Sequence, residues 1–198
     1  MCNRYLSMFV LFGFCCSFLL SCSCRTENNR EERVIQWLLK CPPVDNPARW
    51  PSEAFTYSSH EEWAAAGRKI EGIEEILIRF YENNTTGRPT WMILLALDLV
   101  APDNSGPILI QALKDGSQPI TARVTAATLL GKARNHAAVE PLCNIVLFTG
   151  NEHLKYNAIS ALGLIGDPNA KPAVEKELER VESNREFLIK VLEEIKEK

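Results

Sequence analysis

The sequence predicts an all-α protein: an α-solenoid of helical hairpins with an N-terminal helical extension and a C-terminal capping helix. Three observations carry this prediction. From Ser59 onward, apolar residues recur at helical spacing almost without interruption. The second half repeats itself at intervals of 30 to 35 residues, the signature of stacked helical units. The last helix combines a single apolar stripe with a charged opposite face, as the end of such a stack requires.

The chain begins with a basic residue, Arg4, then an uncharged run from Tyr5 to Ser23 and a polar stretch from Arg25 to Glu32. A short basic start, an apolar stretch and small residues describe a secretory signal. Leu19-Leu20-Ser21-Cys22 resembles the bacterial lipobox, with Leu20 an uncommon occupant of its position. The resemblance implies cleavage before Cys22 and acylation of its thiol. It places the protein in the bacterial cell envelope, as a membrane-anchored lipoprotein facing the periplasm. Ser23 gives no aspartate-type retention signal, which favours the outer membrane. Two other readings of the segment stay open: an ordinary secretory peptide, and an uncleaved span, since 19 uncharged residues just reach bilayer length.

The organisation that follows is 1–21 as signal peptide, 22–58 as a lipidated segment with a helix and a Pro-rich connector, and 59–198 as the repeat domain. Removing residues 1–21 leaves 177, enough for one sizeable core. It also takes Arg4, leaving 21 Lys and Arg against 25 Asp and Glu, a net charge of −4. That mild acidity, with no basic stripe, argues against nucleic acid as partner. Of seven cysteines, Cys22, Cys24, Cys41 and Cys143 remain, without metal-ligand spacing. A Cys24–Cys41 disulfide is open in an oxidising compartment, and Cys143 reads as a core thiol.

Residues 29–40 predict a first helix, with Asn29 as cap and Val34, Trp37 and Leu38 on one face. Four prolines between Pro42 and Pro51 make the next stretch an extended connector, with Trp50 and Phe55 available to pin it. Ser59-His60-Glu61-Glu62 is a capping box for the helical stretch carrying Trp63, Ile70, Ile73, Leu77 and Phe80. Gly67 and Gly72 divide that stretch into two helices.

The internal repeat aligns Val124–Gly131 with Ile159–Gly166 at a shift of 35, and Ala96–Ala101 with Ala126–Gly131 at a shift of 30. Each unit is an apolar helix with small residues, a tight turn, then an amphipathic helix. Leu164-Ile165-Gly166-Asp167-Pro168-Asn169-Ala170-Lys171-Pro172-Ala173-Val174 resembles the turn of HEAT-like repeats of the phycobilisome-lyase type. Gly166 is suited to a left-handed stop, Pro168 forbids continuation and Asn169 is suited to cap the second helix. The resemblance covers about residues 90–182. The middle unit departs from it with Lys132-Ala133-Arg134-Asn135, and the first inverts the order with Ala101-Pro102-Asp103. Ser183-Asn184-Arg185-Glu186 then reads as the box of the closing helix, whose stripe is Leu188, Val191, Leu192 and Ile195.

No catalytic constellation, metal site or cofactor site emerges. His60, His136 and His153 lie at turns or helix starts, where solvated or capping roles suit them. The alignment of second helices brings Gln111, Glu140 and Glu175 to equivalent positions, with Asp115, Asn144 and Glu179 four residues on. That spacing puts each pair on one helix face, and stacking joins the pairs into a mostly acidic ridge. The ridge is a candidate groove for a basic or amide-rich segment of another protein; an ordinary solvated face is the competing reading. Trp37, Trp50, Trp63 and Trp91 suit core or seam packing better than interface anchoring. The function expected is non-enzymatic protein–protein interaction at the envelope. The resemblance also raises a bilin lyase-like enzyme or enzyme subunit, and an assembly factor for an envelope complex is a third reading.

Overall fold

The computed structural model describes residues 27–42, 57, 59–83, 87–181 and 183–196, and their regular structure is entirely helical. Cys22, Cys24, Trp50 and Phe55 lie outside the described residues. The chain divides into two compact units, residues 1–76 and 77–198.

In the first unit, α1 (27–38) buries Val34, Trp37 and Leu38, the face expected from their spacing. Asn29 does not cap it, because the helix is already formed at residue 27. Its C-terminal end tightens, with Lys40 N bonding Trp37 O and Cys41 N bonding Leu38 O. α2 (His60–Gly67) is capped by Ser59, whose hydroxyl accepts from Glu62 N at 3.1 Å. The two helices are joined by their tryptophans. The Trp37 and Trp63 rings stack 4.2 Å apart at 9°, and each indole N–H donates to the other residue's carbonyl, at 2.8 and 2.9 Å. Two large apolar rings are thus buried with both polar handles satisfied, the condition for burying Trp without penalty. Core packing is the role of both residues, whereas Trp91 is half-buried. α3 (Ile73–Asn83), of which residues 73–76 belong to this unit and the rest to the second, follows Gly72, whose φ of +71° ends the preceding turn.

The second unit is a stack of hairpins: α4 (Thr90–Val100) with α5 (Pro102–Lys114), α6 (Ile120–Lys132) with α7 (Val139–Phe148), α8 (Glu152–Ile165) with α9 (Lys171–Arg180), then α10 (Arg185–Lys196). First helices pack on first helices, α4 on α6 on α8 on α10, and second helices likewise, α5 on α7 on α9. Two layers result, with the core between them.

The repeat register differs from the sequence alignment. The buried quartet Ile93, Leu94, Ala96 and Leu97 becomes Ala126, Ala127, Leu129 and Leu130, a shift of 33 (97 to 130). It then becomes Ala158, Ile159, Ala161 and Leu162, a shift of 32 (130 to 162). The middle unit therefore sits three residues from where the shifts of 30 and 35 put it. Gly131 is the counterpart of Gly163, not of Gly166. Its place is a close approach of helices: a Cβ there would lie 2.7 Å from Ala161 Cα.

The counterpart of Gly166 (φ +72°) is Arg134, which adopts the same left-handed conformation (φ +49°). After each comes a short polar cap. Asn135 Oδ1 accepts from Ala137 N at 3.0 Å, and Asp167 Oδ1 from Asn169 N at 2.9 Å. A single 3-10 turn follows in both, His136–Ala138 and Pro168–Ala170. Asp167, not Asn169, is thus the cap, and the middle unit keeps the turn geometry without an Asp-Pro. The first hairpin turns through Ala101 alone, with Pro102 at the first position of α5, where its missing N–H costs nothing. Leu188, Val191, Leu192 and Ile195 are buried, as the closing stripe requires. α10 begins at Arg185, directly after Asn184 at φ +60°, so Ser183 stands one residue before the position a capping box needs.

Candidate functional site

The second helices α5, α7 and α9 carry five of the six predicted ridge residues, and Asp115 stands just past the end of α5. Gln111, Glu140, Asn144, Glu175 and Glu179 are exposed, and Asp115 is half-buried. Their supposed equivalence across hairpins fails with the register. At the structural shift of 32, Glu140 corresponds to Pro172 and Asn144 to Lys176, so the pairs do not join into one continuous acidic line. Asp115 is also committed locally. Oδ1 accepts from Ser117 N at 2.8 Å and Ser117 Oγ at 2.7 Å, and Oδ2 from Gln118 at 3.2 Å. The Ser117 hydroxyl foremost, then its amide, holds this carboxyl below the usual range. Glu175 lies 3.6 Å from Lys171 on its own helix.

The structure instead gathers Glu140 and Asn144 into a groove of about 510 Å³ between the end of α5, the start of α6 and α7. Leu113, Ile145 and Phe148 provide its apolar surface; Lys114 and Arg123 share it with Glu140, so its charge is mixed. Phe148 is 78% exposed, the most exposed large hydrophobic side chain among the described residues.

Arginines fix this edge of the stack. The last carbonyls of a helix have no partner within it, and cations near that end also meet the negative pole of its dipole. Arg123 Nε donates to Leu113 O at 3.0 Å, closing α5, and Arg180 to Leu147 O at 3.3 Å, closing α7. Arg185 donates to Leu178 O at 2.7 Å and Val181 O at 3.2 Å, closing α9. Nothing in the spacing of these residues signals that role, because the partners lie anywhere from four to 33 positions away.

Sequence reasoning also passed over a buried ion pair. Lys155 of α8 reaches Glu177 Oε1 of α9 at 3.0 Å and Glu152 at 3.0 Å, with Lys155 12% and Glu177 3% exposed. Burial disfavours the charged amine, but hydrogen bonds to Glu177 and Glu152 outweigh it and hold Lys155 above its ordinary value. Such a pair is weak evidence for stability, because desolvation offsets its attraction. At the same position the preceding hairpin has Ile145 (145 to 177), an ordinary core residue.

The histidines are placed as follows. His60 Nε2 lies 3.1 Å from Pro42 O, His136 Nδ1 lies 2.8 Å from Asp167 Oδ2, and His153 is exposed. The His136 contact spans two successive turns. It is the leading cause that lowers the Asp167 carboxyl below the usual range, followed by the Asn169 amide. Cys41 and Cys143 are free thiols, and burial pushes Cys41 up to about 11. Among the described residues, no three His, Cys, Asp or Glu side chains are grouped to hold a metal ion, and no helix is long and apolar enough to cross a membrane.

Residues 106–193 match the family model for HEAT repeats. Within that stretch the hairpins are similar to HEAT repeats, a type of unit that generally mediates protein–protein interaction. Comparison with curated proteins gives no match.

Proposed function

We propose that this chain is a lipid-anchored HEAT-repeat protein that holds another protein at the bacterial cell envelope and catalyses no reaction. The observation that carries the binding role is the groove beside α7. A phenyl ring left mostly in water forgoes roughly 1.5–3 kcal/mol available on burial. Here that ring, Phe148, borders a concave surface with apolar walls and polar groups of both signs. The occupant it fits is a protein segment with an apolar side chain for Phe148 and polar groups for Lys114, Arg123 and Glu140. Support for the anchor is the lipobox-like tetrapeptide ending at Cys22 and the uncharged run before it.

The test uses a photo-crosslinking residue in place of Phe148, and separately in place of Ile189, which is also exposed but lies on α10. The expected outcome is a discrete protein adduct from position 148 and none from 189. Equal labelling from both positions, or none from either, would remove the groove as the docking surface. Intact mass of the membrane-extracted chain tests the anchor. Acyl mass on a chain starting at Cys22, lost in Cys22→Ala, is expected; an unacylated mass refutes it.

A further inference from the structure

We propose that the outward face of the first-helix layer, carried by α4, α6 and α8, is a dimer interface that pairs with the same face of a second copy of this chain. The shifts of 33 and 32 that superpose the buried quartets also align the positions turned away from the second helices. Trp91 of α4 then corresponds to Val124 of α6 and Tyr156 of α8, and one turn on, Leu95 corresponds to Thr128 and Ser160. Between these rows lie Met92, Thr125 and Asn157. Tyr156 is exposed and the others are half-buried, and none is charged. The charged side chains in the middle of α6 and α8 turn instead to the second-helix layer, Arg123 to Leu113 O and Lys155 to Glu177. Asp98 of α4 likewise accepts from Ser105 of α5 at 2.8 Å. The exposed positions of α7 and α9 carry Glu140, Glu175, Lys176 and Glu179, a charged surface by contrast.

A two-fold interface sets the same patch of both copies face to face, so charges near its axis would meet like charges. A face without charges escapes that repulsion. Its polar groups are also bonded within their own helices. Thr125 Oγ1 donates to Thr121 O at 2.8 Å, Thr128 Oγ1 to Val124 O at 2.9 Å, and Asn157 Nδ2 to His153 O at 2.8 Å. Excluding water from this face leaves those donated hydrogens satisfied. Bulk runs in one direction along the stack, from Trp91, Met92 and Leu95 on α4 to Asn157 and Ser160 on α8. A two-fold axis through α6 lays α4 of one copy across α8 of the other, large against small, with the Val124 and Thr125 side chains of both copies at the centre. Trp91 then meets Tyr156, and aromatic residues of this kind anchor interfaces. The area suffices. α6 has 13 residues; at the helical rise that is about 20 Å, and three helices each about 10 Å across offer roughly 600 Å². Two copies would bury roughly 1,200 Å², the lower bound for a stable specific interface.

The test is sedimentation equilibrium of the full-length chain in density-matched detergent micelles. A monomer–dimer equilibrium that shifts with protein concentration is expected. Thr125→Arg should weaken it at least about tenfold, since each arginine would face its counterpart across the axis. Arginine is the better helix former of the two, so the variant should keep its helical circular dichroism. Glu179→Arg, a charge reversal on the second-helix layer, should leave dimerisation unchanged. Chance sharing of a micelle by two chains would affect all three proteins equally. A photo-crosslinking residue in place of Trp91 gives an independent reading, a dimer-sized adduct joined to α8 of the other copy. A monomer at every concentration, or a dimer that folded Thr125→Arg leaves intact, would overturn the proposal. Adducts from position 91 in native membranes with lipid alone, or with a different protein alone, would also overturn it and give the face to that occupant. If Thr125→Arg does not fold, the site of crosslinking from position 91 decides.

Discussion

Gly131 and Gly163 hold corresponding positions on α6 and α8, yet they tolerate a methyl group differently. At Gly131 an added Cβ meets Ala161 Cα at 2.7 Å and its Cβ at 2.8 Å, and backbone cannot step aside. At Gly163 the nearest atom is Glu194 Oε2 at 2.6 Å, the end of a flexible side chain, with Val191 at 3.3 Å. Gly131→Ala is therefore expected to cost about 1–3 kcal/mol, the range for overpacking, and Gly163→Ala markedly less. Chemical denaturation of both variants checks the order; an equal loss would show that the α6–α8 seam can open. The same scale explains what the sequence left hidden. Glu177 looks like one more carboxylate on a charged helix, and Phe148 like a core residue of an apolar one. Only the packing of neighbouring helices inverts the two roles, burying the first to 3% and exposing the second to 78%.

The elements themselves were largely legible, while their register was not. Helix-stopping residues announced the turns, and the apolar stripe of α10 was read correctly to the residue. The middle hairpin was misplaced by three residues because three is close to the 3.6 of a helical turn, so an apolar face nearly superposes on itself after that slip. Pairing Gly131 with Gly166 reinforced the error: one glycine serves a close approach, the other a left-handed turn that Arg134 performs elsewhere. The turns also carry a pH dependence. Asp167 titrates below its ordinary 3.8, so the stability it contributes is complete above that value and is lost as pH falls through the lowered one. Asp167→Asn should keep the cap, since Asn135 makes the same bond in the preceding turn, and lose the carboxylate's contact with His136. Melting temperatures of the two proteins should differ most above about pH 4 and converge in stronger acid. A constant difference at all pH values would deny the contact an electrostatic role.

Across the repeat unit, contacts join each helix to near neighbours, and a stack of this kind owes its stability to successive interfaces. Removing residues 185–198 takes away Leu188, Val191, Leu192 and Ile195 and bares the surfaces of α8 and α9 that they cover. Hydrogen exchange in the truncated chain should therefore rise sharply in α8 and α9 and little in α4 and α5. A uniform loss of protection would mean that the stack melts as one body. The architecture at this scale was the most legible part, because recurrence over many residues survives a local slip. The same recurrence bears on how such a chain can grow. The buried positions of α6 recur in both α4 and α8, the two first helices it packs against. An in-frame tandem copy of the 32 residues from Ile120 to Asn151 would thus present a ready-made docking face at both ends, and a single genetic event could add one storey without redesigning a joint.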